Sequence, residues 1–290
     1  MTAHESSGQF TGVAIVAGVC GWPVKHSRSP RIHNFWLRRY GIDGVYVPLA
    51  IAPETAVEAF RALPALGISG LNVTVPNKEN AFRAMDEVDR LAGRLKAVNT
   101  VVVRDGKLLG SNTDAFGFLE SLQEARPGWR ADVGPAVVLG SGGAARAIVA
   151  GLQDAGAPEI RLANRTRARA ETLAGELSDS ALAPIRTVPW EDRARALDGA
   201  ALLVNTTSLG MNGQPPLELD ISALPRDALV YDIVYVPLET PLLAAARARG
   251  NPAIDGLGML LHQARPGFRA WFGTDPAVDD ALRAHVMAAL

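Results

Sequence analysis

Apolar residues in the first third of the chain follow two patterns that alternate with each other. Short, mostly apolar runs predict strands, and they lie at 13–21 (VAIVAGVCG), 44–51 (GVYVPLAI) and 70–76 (GLNVTVP). Each run is followed by apolar residues at helical spacing, which predict helices over 30–40, 54–63 and 78–85. Strands that alternate with helices are typical of an α/β domain.

The next segment, AVNTVVVRDGKLLGSNTD, predicts a hairpin that turns at Asp105 and Gly106. Because a hairpin brings its ends together, Asn99 and Asp114 are expected close to each other at the domain edge. Asn and Asp are also ordinary turn residues. Two such polar clusters in adjacent turns, just before a second domain, favour a cleft.

A second alternation begins at 135, where the strand PAVVL is followed by glycines, the helix AARAIVAGL and the strand EIRLA. It continues with predicted strands at IRTVPW, AALLVNTTS and ALVYDIVY, and with predicted helices near 191–197 and at TPLLAAARARG. This order is that of a dinucleotide-binding half of a Rossmann-type fold. Two more helical stretches, 259–272 and 276–290, are predicted to pack on the first domain.

A glycine pattern marks the start of this second alternation. Gly140, Gly142 and Ala145 form G-x-G-x-x-A directly after the strand AVVL. The first glycine permits a tight turn, the second lets the backbone approach a pyrophosphate, and the small third residue allows close helix packing. The helix N-terminus then offers N–H groups to phosphates. The pattern alone also fits an ordinary turn, but its complete strand, turn, helix and strand context favours a dinucleotide.

The second strand of this unit ends at Asn164, Arg165 and Thr166, where an NAD site would carry an acidic residue for the ribose hydroxyls. Arg165 can instead stack on adenine and pair with a 2′-phosphate, with Thr166 as a hydroxyl donor. Arg169 follows one helical turn further on. A solvated basic helix start would have a similar sequence, but the concentration of arginines at this position favours NADP.

Two serines precede the first helix, in the stretch VKHSRSPRIHN. Ser29 and Pro30 fit an N-cap and a first turn, which leaves Ser27 without a structural explanation.

Strand alternation in GLNVTVPNK predicts that Asn72 and Thr74 share one face. The apolar residues of the same run are predicted to form the core face: Leu71, Val73 and Val75. Lys78 opens the next helix, where a cation opposes the helix dipole. A functional lysine and a solvated surface lysine both fit that position.

The composition limits which classes of protein this chain can belong to. The chain has 290 residues, enough for two domains, and its 48% hydrophobic and 20% charged residues are ordinary for a globular protein. With a formal net charge of -1 there is no field to recruit nucleic acid or an anionic membrane, so neither partner is expected. Cys20, the single cysteine, lies in an apolar run that predicts a packing role, and it fits a cytoplasmic setting.

Targeting and metal signals are not found in the sequence. Residues 1–12 are polar, lack the layout of a signal peptide and are predicted to be a flexible tail. No apolar stretch reaches the length of a membrane span. The histidines form no pair with metal-ligand spacing, so no metal is expected.

Taken in order, the following segments resemble the shikimate dehydrogenases, from about Val13 to Ala264: GWPVKHSRSPRIHN, LNVTVPNK, AVNT, GSNTD, GSGGAARA, NRT, NTTSLGM, YDIVYVPLETPLL and GLGMLLHQA. The resemblance implies an NADP-dependent oxidoreductase that acts on a CH–OH group. Its reaction would be the reversible reduction of 3-dehydroshikimate to shikimate, in chorismate and aromatic amino acid biosynthesis.

The resemblance also implies roles for individual residues. Ser27 and Ser29 would bind the substrate carboxylate, and Lys78 and Asp114 would form the catalytic pair. The remaining substrate-binding residues would be Asn72, Thr74, Asn99, Tyr235 and Gln263. The predicted cofactor-binding residues are Gly140, Ser141, Gly142, Gly143, Ala144, Asn164, Arg165, Thr166, Arg169, Thr206, Met211 and Gly256.

The predicted architecture is two α/β domains with a substrate cleft between them, the C-terminal domain being a Rossmann-type dinucleotide-binding fold. After the tail at 1–12, residues 13–114 and 258–290 are predicted to form the substrate-binding catalytic domain, and 115–257 the NADP-binding domain. The expected assembly is a monomer or a homodimer.

Two positions depart from the family pattern. Lys96 stands where the family usually has glycine, and Ala115 follows Asp114 where glycine is common. Three other functions fit the same residues: a quinate/shikimate dehydrogenase of broader substrate or cofactor range, an aminoshikimate-type enzyme, and a non-catalytic sensor of NADPH or of a metabolite.

Overall fold

The computed structural model describes residues 10–288, which form two compact units. Unit 1 comprises the described residues up to Thr113 and from Ala264 onward, and unit 2 runs from Asp114 to Gln263. Of the tail predicted over 1–12, residues 1–9 lie outside the described part of the chain. Residues 10–12 are exposed, and the Thr11 N–H donates a hydrogen bond to Asp43 Oδ1 at 3.3 Å.

The strands are β1 (Ile15–Gly21), β2 (Gly44–Ala50), β3 (Ile68–Val73), β4 (Glu87–Val88), β5 (Thr100–Arg104), β6 (Lys107–Ser111), β7 (Ala136–Leu139), β8 (Ile160–Ala163), β9 (Ile185–Val188), β10 (Leu202–Asn205), β11 (Leu229–Asp232) and β12 (Ala253–Ile254). The α-helices are α1 (Ser29–Tyr40), α2 (Ala56–Arg61), α3 (Lys78–Ala84), α4 (Arg90–Leu95), α5 (Asp114–Ala125), α6 (Gly143–Asp154), α7 (Arg167–Glu176), α8 (Pro241–Arg249), α9 (Leu257–His262), α10 (Arg265–Phe272) and α11 (Asp280–Met287).

The sheet of unit 1 has the order β2-β1-β3-β5-β6-β4. β1 pairs in parallel with β2 and β3, whereas β5 pairs antiparallel with β3 and β6. The predicted hairpin is confirmed, because Asp105 (φ 52°) and Gly106 (φ 75°) form the turn between β5 and β6. Mixed pairing places the start of β5 at the sheet edge where β1 and β3 end.

Each face of this sheet is covered by its own set of helices. On one face, Leu71 and Val73 join a cluster with Phe60 of α2, Ala81 of α3 and Cys20. Burial raises the pKa of the Cys20 thiol to about 12, and the predicted packing role of this residue is confirmed.

The opposite face is packed with aromatic rings. His33 of α1 stacks on Tyr46 of β2 with 4.0 Å between ring centroids. The Trp271 indole of α10 donates a hydrogen bond to the Val101 carbonyl at 3.0 Å, and the Trp36 indole of α1 donates to Ala277 O at 2.9 Å. These contacts hold α1 and α10 in place, and Arg31 of α1 donates to His285 O of α11 at 3.0 Å.

Unit 2 contains a sheet in the order β12-β11-β10-β7-β8-β9, with every neighbouring pair parallel. This is the doubly wound order of the Rossmann fold. From β7 the chain adds strands outward on one side and, from β10 onward, on the other. The boundary between β7 and β10 is therefore the topological switch point, where such sheets bind ligands. Val137, Leu203 and Val230 form the centre of an apolar cluster on one face, and α5 packs against α6 and α9.

The helix predicted over 191–197 is wrong. Two short 3₁₀ turns, Trp190–Asp192 and Arg195–Leu197, occupy this stretch. Pro189 and Gly199 bound it closely, so few residues remain for α-helical hydrogen bonds, and 3₁₀ turns serve as the connection.

Two predicted strands end earlier than expected. β3 stops at Val73, after which the Thr74 carbonyl accepts from the Asn77 N–H at 3.0 Å and closes a turn. Val75 is consequently 73% exposed, so its predicted place on the core face is wrong. β11 stops at Asp232, because its side-chain oxygen accepts from the Val234 N–H at 3.1 Å and turns the chain.

Four helices differ from the sequence expectation. α4 and α5 were not predicted, and α5 begins directly at the end of the hairpin. The stretch 259–272 is divided between α9 and α10, since Pro266 lies in the first turn of α10. α9 belongs to unit 2 and packs on α5, whereas the prediction assigned residues from 258 onward to the first domain.

Candidate functional site

One edge of the sheet in unit 1 collects the predicted substrate residues. β1 and β3 are parallel with Cys20 opposite Val73, so both strands end at this edge. β5 begins there and β6 ends there, with Thr100 opposite Ser111. The segments that leave the edge carry Ser27, Ser29, Thr74, Lys78 and Asn99, and β3 itself carries Asn72.

The two serines precede and begin α1. The predicted N-cap at Ser29 is wrong: α1 begins at Ser29 itself, and Arg28 is the cap residue without a side-chain hydrogen bond. Arg28 already has helical backbone angles, which moves the start of the helix by one residue. Ser27 Oγ accepts from the Ser29 N–H at 3.3 Å, so Ser27 satisfies one of the first helical donors.

A tight turn between β3 and α3 positions Lys78. The Thr74 N–H donates to Cys20 O at 2.9 Å, and a Cβ added to Gly21 would come within 2.6 Å of the Thr74 methyl. Asn77 is fully buried, and its Nδ2 donates to Ile51 O at 2.8 Å. Lys78 is the first residue of α3 and accepts from Val98 N at 3.0 Å through its carbonyl. Sequence reasoning missed Asn77; its position between Pro76 and Lys78 was the available signal.

Asn72 is buried and hydrogen-bonded within unit 1. Only 5% of the Asn72 surface is exposed. The Tyr46 hydroxyl donates to Asn72 Oδ1 at 2.6 Å, and Asn72 Nδ2 donates to Thr100 Oγ1 at 3.2 Å. The predicted shared face of Asn72 and Thr74 does not form as a strand face, because Thr74 lies beyond the end of β3.

The two ends of the hairpin meet, as predicted. Asn99 Oδ1 accepts from the Thr113 N–H at 2.9 Å, from Thr113 Oγ1 at 3.2 Å and from Thr100 Oγ1 at 3.0 Å. Asp114 follows Thr113 directly, is buried, and is the first residue of α5. A carboxylate in a first helical turn is stabilised by the N-terminal end of the helix dipole.

The glycine turn of unit 2 has the geometry of a nucleotide cradle. Gly140 has φ 109°, and a Cβ there would lie 2.5 Å from Thr206 Oγ1, so only glycine fits. Gly142 and Gly143 face open space, where an added Cβ would meet nothing within 4 Å. Ala145 is fully buried. The three roles predicted for the G-x-G-x-x-A pattern therefore fit the observed backbone, and α6 begins at Gly143.

A cavity of about 560 Å³ in unit 2 lies at the carboxyl ends of β8 and β10. Asn164 and Arg165 line it on one side, and Thr207 and Ser208 line it on the other. The neighbouring Arg167 is engaged elsewhere, since its Nε donates to Glu171 at 2.7 Å. Exposed Arg165 and Arg169 have the charge that a 2′-phosphate requires.

The structure gives different positions to the other predicted cofactor residues after β10. Thr206 is buried, and its hydroxyl donates to Leu139 O at 2.6 Å, so it ties β10 to β7. Thr207 and Ser208, which the sequence analysis did not select, line the cavity instead. The motif NTTS contains all three hydroxyls, and only the backbone course separates their roles. Met211 is exposed, and Gly256 is held against the Ile233 carbonyl with no room for a Cβ.

Tyr235 lies in the loop after β11, and Asp232 organises that loop. Asp232 is fully buried and accepts from Asn205 Nδ2 at 3.0 Å, from Thr240 Oγ1 at 2.7 Å and from Val234 N at 3.1 Å. Burial raises the pKa of Asp232 above its usual value, while these hydrogen bonds act in the lowering direction. Sequence reasoning missed this residue.

Gln263 follows α9, and its position depends on close helix packing. A Cβ on Gly117 of α5 would lie 2.6 Å from Gln263 Cβ and 2.7 Å from the Met259 carbonyl. Gln263 Nε2 donates to Leu260 O at 3.1 Å. His262 Nε2 lies 3.0 Å from Glu124 Oε2, which joins α9 to α5 a second time.

The structure shows the surroundings of both positions that depart from the family pattern. Lys96 is the C-cap of α4 with φ 51°, the left-handed region that favours glycine. Ala115 is buried against Gly151 of α6, where a second Cβ would be only 2.9 Å away. The methyl group of Ala115 thus occupies space that Gly151 leaves open.

Two further findings concern residues 10–288. None of the helices described there is long and apolar enough to cross a membrane. Within the same range, no group of three or more His, Cys, Asp or Glu residues is arranged to hold a metal ion.

Comparison with known proteins gives consistent matches. A shikimate dehydrogenase substrate-binding domain matches residues 19–101, and a shikimate 5′-dehydrogenase C-terminal domain matches residues 256–284. The shikimate dehydrogenase (NADP(+)) of Rhodospirillum rubrum is 63% identical over 279 residues, 96% of this chain and 99% of that protein.

Two solved structures are similar over almost the whole chain. Shikimate 5-dehydrogenase of Thermus thermophilus, in complex with NADP(H) and shikimate, has a TM-score of 0.82 and 38% identity, covering 95% of this chain and 100% of the other. Quinate dehydrogenase of Corynebacterium glutamicum, in complex with NAD, has a TM-score of 0.87 and 32% identity, with 95% and 99% covered.

The doubly wound sheet with its glycine cradle, together with the polar sheet edge of unit 1, defines an α/β enzyme that uses a dinucleotide. Identity of 63% over 96% of the chain narrows this class to one family. The chain belongs to the shikimate dehydrogenase family. Relatives such as that of Rhodospirillum rubrum are named as NADP-dependent enzymes.

Proposed function

We propose that this protein catalyses the reversible, NADP-dependent reduction of 3-dehydroshikimate to shikimate. The observation that carries the proposal is the 63% identity, over 96% of the chain, with a protein named shikimate dehydrogenase (NADP(+)). The polar sheet edge of unit 1 supports it, because a polyhydroxylated carboxylate substrate needs several donors and acceptors held close together. Unit 1 is proposed to bind the substrate and unit 2 the cofactor.

The residues of unit 2 fit NADP. The backbone at Gly142 and Gly143, at the start of α6, is proposed to receive the pyrophosphate. Arg165 and Arg169 are proposed to hold the 2′-phosphate, together with Asn164 and Thr166. Ser141, Ala144, Met211 and Gly256 complete the proposed set, and Thr206 supports it from behind, since its hydroxyl ties β10 to β7. When bound, the reduced cofactor supplies a hydride to the substrate carbonyl carbon.

Lys78 is the proposed proton donor to the carbonyl oxygen, which becomes an alkoxide unless a proton reaches it. Asp114 is proposed to orient the lysine ammonium. Two hydrogen bonds support this pairing: Val98 N donates to Lys78 O at 3.0 Å, and Thr113 N donates to the adjacent Asn99 side chain at 2.9 Å. Asp114 is the next residue along the chain.

The other predicted residues are proposed to bind the substrate itself. Ser27 and Ser29 would hold the carboxylate, and Asn72, Thr74 and Asn99 would hold the ring hydroxyls. Tyr235 and Gln263 are proposed to contact the ring as well. Each of these side chains is hydroxyl or amide, which suits a substrate that carries hydroxyls and one carboxylate.

The decisive experiment is an absorbance assay of nicotinamide reduction with shikimate or quinate, each paired with NADP or NAD. Rapid reduction with shikimate and NADP, and slow reduction in the other pairings, is the expected result. Comparable rates with quinate or NAD would assign broader specificity. No reduction in any pairing would refute the proposed dehydrogenase activity and favour the non-catalytic sensor.

We also propose a cytoplasmic location and a monomeric or homodimeric state. The reduced, buried Cys20 and the net charge of -1 support this setting. Sedimentation of the purified protein tests the assembly, and a species larger than a dimer would contradict it.

A further inference from the structure

Two buried hydroxyls, those of Tyr46 and Thr100, join the amide side chains at the sheet edge of unit 1. Tyr46 is 1% exposed and Thr100 is 1% exposed. Neither belongs to the residues proposed above to touch substrate or cofactor. Their side chains nevertheless end at Asn72 and Asn99, which do.

The Tyr46 hydroxyl reaches Asn72 from β2, across the intervening strand β1. It donates to Asn72 Oδ1 at 2.6 Å, a short hydrogen bond between buried groups. Stacking of the phenol ring on His33, with an interplanar angle of 2°, holds the ring in one orientation. The amide oxygen of Asn72 is therefore directed toward Tyr46, and its NH₂ group is directed toward β5.

The Thr100 hydroxyl forms hydrogen bonds with both amide side chains. Asn72 Nδ2 donates to Thr100 Oγ1 at 3.2 Å, and Thr100 Oγ1 donates to Asn99 Oδ1 at 3.0 Å. A hydroxyl can accept one hydrogen bond while it donates another. Thr100 consequently fixes the orientation of both amides at once.

The protonation state of the phenol supports this direction of donation. Burial raises the pKa of Tyr46 well above its usual value, so the hydroxyl keeps its proton throughout the neutral range. A side-chain hydrogen bond with Ser29 acts on the same phenol in the lowering direction. Ser29, a residue proposed to bind the substrate carboxylate, therefore also contacts the Tyr46 hydroxyl.

We propose that Tyr46 and Thr100 are positioning residues, whose hydroxyls hold the Asn72 and Asn99 amides in the orientation that receives the substrate. The inference rests on the proposed function, since it concerns the binding of that substrate. Removal of the Tyr46 hydroxyl takes away the hydrogen bond that orients Asn72 Oδ1. Removal of the Thr100 hydroxyl takes away the bond from Asn72 Nδ2 and the link to Asn99, whose Oδ1 keeps its hydrogen bonds from Thr113.

The direct test uses Tyr46→Phe and Thr100→Val, which remove a hydroxyl and nearly preserve shape. The KM for shikimate should rise about tenfold, the equivalent of one net hydrogen bond of about 1.4 kcal/mol. The KM for NADP should stay unchanged, and kcat should change by less than about twofold, because ground state and transition state lose the same contact.

Tyr231→Phe is the matched control. Tyr231 is also fully buried, and its hydroxyl donates to Ser121 Oγ at 2.9 Å within unit 2. The loss of this hydroxyl should affect stability as much as Tyr46→Phe does, and it should leave the KM for shikimate unchanged. An equal rise of KM in the control would overturn the positioning role.

A double-mutant cycle separates positioning from general destabilisation. In an Asn72→Ala background, Tyr46→Phe should add no further rise in KM, since the amide that it orients is gone. Additive effects would contradict the inference. Thr100→Val provides an independent arm if Tyr46→Phe does not fold, as judged by its thermal transition.

Failure of the two proposals can be told apart. Wild-type protein that does not oxidise shikimate with NADP refutes the proposed function. Wild-type protein that does so, with the KM for shikimate unchanged in both hydroxyl variants, refutes the positioning role alone.

Discussion

Gly117 and Gln263 approach so closely that a Cβ atom on Gly117 would lie 2.6 Å from Gln263 Cβ. The contact allows α5 and α9 to pack together within unit 2. It also sets the starting point of a side chain proposed to bind substrate. Helix packing and the proposed contact of Gln263 with substrate therefore both depend on Gly117.

The variant Gly117→Ala should therefore lower both stability and substrate affinity. Overpacking of this kind costs roughly 1–3 kcal/mol in the free energy of unfolding, and displacement of Gln263 should raise the KM for shikimate. Urea unfolding and steady-state kinetics measure the two effects. Gly175→Ala is the control, because Gly175 is a helical glycine whose added Cβ meets nothing within 4 Å. An unchanged unfolding midpoint in Gly117→Ala would contradict the packing argument.

Lys78→Ala should reduce turnover by roughly 10²- to 10⁴-fold, the usual contribution of a general acid. Binding of NADP should be unchanged, since the proposed cofactor residues lie in unit 2. Stopped-flow absorbance and cofactor titration check these two quantities. Lys107→Ala provides the comparison: Lys107 is exposed and paired with Glu87 at 2.9 Å, so turnover should stay at the wild-type value. Near-normal turnover in Lys78→Ala would remove the lysine from the mechanism.

Arg165→Ala should raise the KM for NADP at least tenfold, because a charge-assisted hydrogen bond contributes about 1.5–3 kcal/mol. The preference for NADP over NAD should fall by a similar factor. Arg167→Ala tests whether charge alone matters, since Arg167 lies two residues away and is paired with Glu171 at 2.7 Å. Equal losses in the two variants would show that the effect is general attraction rather than recognition of the 2′-phosphate.

His33 should make stability depend on pH. Burial lowers the pKa of His33 from its ordinary value of about 6.5 to about 3, so near pH 5 the unfolded chain binds a proton that the folded chain excludes. The contribution of His33 to the free energy of unfolding should therefore be fully present above about pH 6.5 and should decrease as the pH falls toward 3. Between pH 7 and pH 5 the loss from this group is about 2 kcal/mol.

The variant His33→Phe removes this titration, and its unfolding free energy should depend less on pH over the same interval. Urea unfolding at several pH values gives the slope directly. His26→Gln, at an exposed histidine, should keep the wild-type slope. A slope in His33→Phe equal to that of wild type would show that other groups carry the dependence.

Lys96→Gly should stabilise the protein. Lys96 has φ 51°, and a left-handed backbone costs a residue with a Cβ roughly 1 kcal/mol. Glycine removes that strain at the end of α4, so the unfolding free energy should rise by up to about 1 kcal/mol. Thermal and urea unfolding provide the measurement. The side chain is exposed, and kcat should stay the same. Lower stability in Lys96→Gly would mean that the lysine side chain makes a compensating contact.

The cofactor turn could be predicted because its requirements are local. Gly140 needs a positive φ, Gly142 needs an open approach and Ala145 needs to be small, and each property belongs to the residue type itself. The turn at Asp105 and Gly106 was predictable for the same reason. In both cases the residue types that signal the turn are adjacent along the chain.

The substrate side was less predictable, since its details depend on partners far along the chain. Ser29 looked like an N-cap, but the turn at Arg28 already starts the helix. Val75 looked like a core residue, but β3 ends when Thr74 turns toward Asn77. The turn that Asp232 makes with Val234 is local, but its buried role depends on Asn205 of β10 and on Thr240, the N-cap of α8.

The sequence by itself determined the alternation of strands and helices, the cofactor turn and the hairpin that brings Asn99 to Thr113. These features follow from residue type and short-range spacing. The tertiary structure alone decided that Tyr46 donates to Asn72, 26 residues away, and that Thr100 joins Asn72 to Asn99. The physical reason is that strand order and register, not neighbourhood in the chain, choose the partner of a buried hydrogen-bonding group.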